Sequence, residues 1–150
     1  MALREGVTAD LKEAMKSGEV TRVSTLRLLQ SQLRNEELAL KKTGLSDEEV
    51  LRIVQREVKK RREAAESFRA GNRLEAARRE DEERSILEAY LPPALSDAEL
   101  EQIIREVVTA SGTPGPQGVG KVIGSVMGRV RGRADGARVK ALVERVLSSS

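Results

Sequence analysis

The pattern Leu-Ser-Asp-x-Glu occurs twice, at Leu45–Glu49 and again at Leu95–Glu99. In each copy a serine precedes a glutamate by three residues. At that spacing the hydroxyl and the carboxylate reciprocally satisfy orphan backbone donors in the first turn of a helix. The leucine ahead of each serine is placed to staple the incoming chain onto that turn. Two helix starts are therefore set by local chemistry, and Pro92 and Pro93 lie just ahead of the second. A proline pair ends whatever helix precedes it. The chain is expected to divide there into residues 1–91 and residues 95–150.

Between these marks the apolar residues recur at helical spacing. A first helix is expected over Leu3–Lys16, with Leu3, Val7, Leu11 and Ala14 or Met15 on one face and a stop near Gly18. A second is expected over Val20–Lys42, turning Leu26, Leu29, Leu33 and Leu40 inward and ending at Gly44. The third runs from the first capping box to Ala70 with Val50, Val54, Val58, Ala65 and Phe68. The fourth covers Arg73–Leu91 with Leu74, Ala77, Ile86, Leu87 and Tyr90. The second capping box opens a fifth helix to Ala110, carrying Leu100, Ile103, Ile104, Val107 and Val108. A last helix, capped by Asp135, carries Val139, Leu142, Val143 and Val146 to about Leu147, and the serines after it are expected to fray. Charged residues make up 34% and aromatics 1%, a balance that suits amphipathic helices with aliphatic seams and leaves too few aromatics for sheets. The expected fold is all-α, an N-terminal bundle of about four helices plus a small C-terminal three-helix domain.

The sixth helix stands apart. Within Gly115–Gly136, Val119, Val122, Ile123, Val126, Met127 and Val130 form one buried stripe, while Gly120, Gly124, Gly128, Gly132 and Gly136 recur every fourth residue. At about 100° per residue the first three glycines make a ridge away from the stripe. Each costs roughly 1 kcal/mol relative to alanine inside a helix, so the ridge needs a reason, and the reason is close approach to bare backbone. A neighbouring helix packs on it, or a phosphate backbone lies along it while Lys121, Arg129, Arg131, Arg133, Arg138 and Lys140 neutralise the charge, and since the ridge has two sides both can hold at once. From residue 113 to 150 there are seven bases against two acids, a local net charge of +5 in a chain whose net charge is +3. A basic patch at one end of a protein is the usual electrostatic footprint of a nucleic-acid partner.

Composition removes several alternatives. Without cysteine or histidine there is no disulfide, no Cys/His zinc site, no thiol nucleophile and no imidazole base, and no metal or cofactor is expected. The stretch GPQGVGKV at Gly115–Val122 nearly matches a phosphate-binding loop. However, Val122 stands where a hydroxyl should hold magnesium, and no strand pattern precedes it. The run KKRR at Lys59–Arg62 spreads around a helix beside Glu57, Glu63 and Glu66, and RREDEER at Arg78–Arg84 reads as a solvated face with pairs such as Glu80 and Arg84. No apolar run is long enough to span a bilayer and the N-terminus is too polar for a signal, so no membrane association and a cytoplasmic location are expected.

Three segments carry a family resemblance: LSDEEVLRIVQREVKKRREAAESF, ILEAYLPPALSDAEL and GVGKVIGSVMGRVRGRADGARVKALV. Together they resemble the YqeY-like (GatB/YqeY) family over essentially the whole length. The C-terminal part is also similar to the tail domain of the GatB component of the aspartyl/glutamyl-tRNA amidotransferases. Arg131 and Arg133 stand where lysine is common at one position or more. The resemblance implies a two-domain all-α protein. In the amidotransferase that tail contacts the folded body of tRNA, and the chemistry belongs to a catalytic domain this chain lacks. The family label would be carbon-nitrogen ligase with glutamine as amido donor, with no stand-alone catalysis expected. With one Tyr and one Phe there is no aromatic platform for unpaired bases, so backbone and shape recognition of tRNA is the expected mode. The expected contacts are Lys121, Gly124, Gly128, Arg129, Arg131, Arg133 and Lys140. The alternative is an adaptor that docks on an aminoacyl-tRNA synthetase or amidotransferase without binding RNA.

Overall fold

The computed structural model describes residues 2–112 and 118–148. Seven α-helices and no strand occur among them: α1 Leu3–Ser17, α2 Val20–Ala39, α3 Asp47–Ala70, α4 Leu74–Glu88, α5 Asp97–Ser111, α6 Val119–Val130 and α7 Gly136–Ser148. The fold is all-α. None of these helices is long and apolar enough to cross a membrane. The opening of the near phosphate-loop match, Gly115 to Gln117, lies outside the described residues, as do the last two serines.

Both capping boxes form. Ser46 accepts from the Glu49 N–H at 3.2 Å while Glu49 accepts from the Ser46 N–H at 2.8 Å, and Ser96 and Glu99 repeat the exchange at 3.1 Å each way. Leu45 and Leu95 are buried, as staples should be. Lys42 donates to Glu49 at 2.6 Å, and that bond, ahead of the one from Ser46, holds the Glu49 carboxyl down at about 2. A carboxyl held below its ordinary 4.5 stabilises the fold above that value and loses its contribution as pH falls toward 2. Ser46→Ala and Ser96→Ala are each expected to cost about 1 kcal/mol. Urea unfolding at neutral pH measures this, and a loss near zero in both variants would contradict it.

Contacts divide the chain into two compact units, Met1–Leu91 and Pro92–Ser150. In the first, α1–α4 enclose Val7, Leu11, Leu26, Leu29, Leu33, Val50, Ile53, Val54, Val58 and Leu87. Tyr90 closes the end of α4 by donating its hydroxyl to Asp10 at 2.5 Å, and burial together with the Asp10 charge pushes its pKa up. In the second unit, α5–α7 enclose Leu100, Ile104, Val107, Val122, Val126, Val130, Val139, Leu142, Val143 and Val146. Its first residues are tied to the α6–α7 turn, where the Arg133 carbonyl accepts from the Leu95 N–H at 2.9 Å.

Several expectations change. Helix α2 stops at Ala39 rather than Lys42, because Lys41 already takes the left-handed conformation (φ 54°) three residues ahead of Gly44 (φ 81°). Leu40 is therefore exposed rather than turned inward. Beyond it, Glu37 accepts from the Gly44 N–H at 2.6 Å and pairs with Arg4 at 2.9 Å. In α1 it is Ala14 that is buried, while Met15 is exposed. Helix α4 is shorter than expected at both ends, and Leu74 in its first turn is 60% exposed.

The larger correction concerns the two charge runs. Beyond Val58 on α3 and Leu87 on α4 the apolar core gives out, and the hairpin is closed by Ala65, Ala77 and ions instead. Arg61 of the KKRR run is buried. Its Nη1 lies 3.4 Å from Glu57 and its Nε 3.5 Å from Glu83 of the RREDEER run, while Arg69 pairs with Asp81 at 2.8 Å. Arg84 bridges Asp81 and Glu88. Arg61 of the first run and Asp81 and Glu83 of the second hence fasten α3 to α4, while Lys59, Lys60, Arg78, Arg79 and Glu82 stay exposed.

Candidate nucleic-acid interface

Helix α6 buries Val122, Val126 and Val130, with Val119, Ile123 and Met127 half-buried against the same core. The helical period then forces Gly120, Lys121, Gly124, Ser125, Gly128 and Arg129 onto the opposite, exposed face. A Cβ built on Gly120, Gly124 or Gly128 would meet nothing within 4 Å. Within the second unit, no helix among the described residues packs on the ridge. Ser125, one turn from both Lys121 and Arg129, belongs to this face although charge and glycine spacing alone did not single it out.

The basic residues fall into distinct roles. Arg129 Nη2 pairs with Glu106 of α5 at 2.7 Å, and this contact, ahead of Gln102, keeps the Glu106 carboxyl below its ordinary value. Arg138 donates Nε and Nη2 to the same oxygen of Asp97 at 3.1 and 2.6 Å, and Arg145 reaches Glu101 at 3.6 Å. Acids of α5 thus answer three of the seven bases that made the C-terminal stretch read as strongly positive. Lys121 and Lys140 are exposed and make no ion pair among the described residues.

Arg131 ends α6 in the left-handed conformation at φ 41°, with its Nε directed to the Gly128 carbonyl at 3.4 Å. Arg133 is exposed, yet its Nε donates to the Pro93 carbonyl at 3.0 Å, so it helps hold the segment entering the unit. Of the seven expected contact residues, Lys121, Gly124, Gly128 and Arg129 share one face and Arg131 closes its end. Arg133 sits in the following turn and Lys140 on α7.

A helical hairpin-bearing unit followed by a three-helix unit with a glycine-ridged helix is the class these features define. A family model for YqeY-like proteins matches residues 4–147, and the chain belongs to that family. It is 30% identical over 95 residues to an uncharacterized protein of Schizosaccharomyces pombe, covering 63% of this chain and 76% of that one. It is 24% identical over 114 residues to altered inheritance of mitochondria protein 41, mitochondrial, of Vanderwaltozyma polyspora, covering 72% and 62% respectively. The protein of the same name in Lachancea thermotolerans is 28% identical over 102 residues, covering 67% of this chain and 54% of that one. The chain therefore spans less than two thirds of either mitochondrial relative.

Proposed function

We propose that this chain is a tRNA-associated binding protein that recognises the sugar-phosphate backbone of folded tRNA through α6 and its basic border. The observation that carries this reading is the open ridge of Gly120, Gly124 and Gly128, which nothing among the described residues covers. Three exposed helix glycines cost on the order of 3 kcal/mol together, and a ligand approaching bare backbone gives them a use. The resemblance of the C-terminal part to an amidotransferase tail supports the same ligand and a link to tRNA-dependent amidation. The Arg129–Glu106 pair fits the role, since an exposed ion pair contributes roughly 0–1 kcal/mol and a phosphate can replace the carboxylate at little cost.

Filter binding of unmodified tRNA across a salt series tests this. With about four neutralised phosphates, log K should fall against log salt with a slope near −3 to −4, taking the duplex coefficient. Arg131→Gly is the better single variant than a joint change with Arg133, because glycine suits the left-handed position while Arg133 is engaged with Pro93. It should flatten the slope by about 0.9 without lowering stability. Binding that is absent, or indifferent to salt, would leave the adaptor reading. That alternative, docking on a synthetase or amidotransferase, draws on a different surface.

A further inference from the structure

Helix α2 turns Thr25, Leu26, Leu29 and Leu33 into the first core. At about 100° per residue, Val20, Arg27, Ser31, Arg34 and Leu38 fall on the opposite side within roughly 60° of one another, and Leu28 borders them. Val20 is 81% exposed, Leu38 71% and Leu28 43%, half of the six large hydrophobic side chains exposed among the described residues. A shallow groove lined by Gly18, Val20, Val23, Ser24, Arg27 and Leu28 runs along the N-terminal half of this face. The outward positions of α3 are the contrast: Arg52, Arg56, Lys59, Lys60, Glu63 and Glu66 are all charged and of both signs. A solvated helix face looks like α3. The face of α2 does not.

We propose that this face docks an acidic amphipathic helix of a partner protein. Its charge is of one sign: Arg27 and Arg34 lie on the arc and no acid does. Arg27 makes no ion pair or hydrogen bond among the described residues, whereas Arg4 and Arg22 of the same unit are paired with Glu37 and Glu19. A second copy of the chain laid on this face would set arginines against arginines. A lipid surface would call for a continuous apolar side, which Ser24, Ser31 and Asn35 interrupt. From Val20 to Leu38 the face is about 27 Å long, so its occupant is a helix of roughly 18 residues. Such a helix places aliphatic anchors at i, i+4 and i+7, with acids about two turns apart to meet Arg27 and Arg34. The inference stands apart from RNA binding, which uses α6.

The probe is a fluorescein-labelled synthetic helix of roughly 20 residues with leucines at i, i+4, i+7 and i+11 and glutamates along one flank. A twin carries lysines in place of the glutamates. Titrated with the full chain and followed by anisotropy, the acidic helix should bind saturably and the basic twin at least about tenfold more weakly, since like charges across an interface are strongly disfavoured. Arg27→Glu with Arg34→Glu should reverse that preference, and Leu28→Ser should weaken the acidic helix with an unchanged melting temperature, all three positions being exposed. No saturable binding, equal affinity for the twins, or indifference to the charge reversal would overturn the proposal. So would binding to mixed phosphatidylcholine–phosphatidylserine vesicles that Leu28→Ser abolishes, which would assign the face to a membrane. A dimer in sedimentation that Leu28→Ser dissolves would assign it to a second copy and overturn the proposal equally.

Discussion

Arg61→Met should destabilise the first unit by about 3 kcal/mol, more than any surface change of comparable size, because it removes the cation from a buried cluster and leaves the anions behind. Glu57 is 3% exposed and Arg61 9%, and the Glu83 oxygen 3.5 Å from Arg61 belongs to the other helix of the hairpin. Lys60, 3.3 Å from Glu57, offers some compensation at the rim, which places the expected loss at the lower end for a broken buried pair. The ions are not themselves the source of stability. A triple change of Glu57→Gln, Arg61→Met and Glu83→Gln should recover most of the loss, since the desolvated charges go together. Urea unfolding of the three proteins decides it: a single variant as stable as the parent would show that Arg61 is in effect solvated.

The sign of the pH dependence follows from Glu83. Burial first, and the neighbouring Glu80 second, raise its carboxyl above the ordinary 4.5, while Arg61 pulls it back. Removing Arg61 raises it further. A carboxyl with a raised folded pKa stabilises the fold when protonated, below about 4.5, and that contribution is lost as pH rises through the folded value. The deficit of Arg61→Met should consequently be smaller in mildly acidic buffer than at neutral pH.

This cluster also shows where the sequence stops being informative. Helical periodicity puts residues 57 and 61 on the same face as Val50, Val54 and Val58, yet a charge run read alone says solvent. What decides is that the aliphatic seam of α3 ends at Val58, leaving Ala65 and ions to face α4, and that depends on residues of the next helix such as Glu83, far along the chain from Arg61. Leu40 and Leu74 mislead for a related reason. Both continue an apolar period at a helix end, Leu40 just beyond Ala39 where α2 stops and Leu74 in the first turn of α4. By contrast the capping boxes rest on contacts within four residues, and the number of helices and the period of the α6 stripe follow from local spacing, so these are legible even where the ends of α2 and α4 are not. The ridge was legible as a row of glycines, but its openness was not, because periodicity places a residue on a face without saying what stands opposite. Nor does spacing reveal that Glu106 answers Arg129 or that Arg133 holds Pro93.

Gly124→Leu should weaken tRNA binding by about tenfold, roughly 1.4 kcal/mol, without lowering stability. The position is exposed at the middle of α6, one turn from Gly120 and Gly128, and a Cβ there meets nothing within 4 Å. In an open helix the change from glycine to leucine favours the helical state by up to about 1 kcal/mol, so the melting temperature should hold or rise. A buried ridge would behave in the opposite way, since leucine forced into a packed contact costs about 1–3 kcal/mol. Gly124→Ala separates bulk from backbone freedom: it gains most of the helix propensity and adds only a methyl group, so it should stabilise α6 while affecting tRNA less than leucine does. Lys121→Gln provides the electrostatic counterpart, lowering the salt slope by about 0.9 with no change in the thermal midpoint. If instead leucine lowers the melting temperature while affinity per folded molecule is unchanged, the ridge is a packing surface and has no part in RNA recognition.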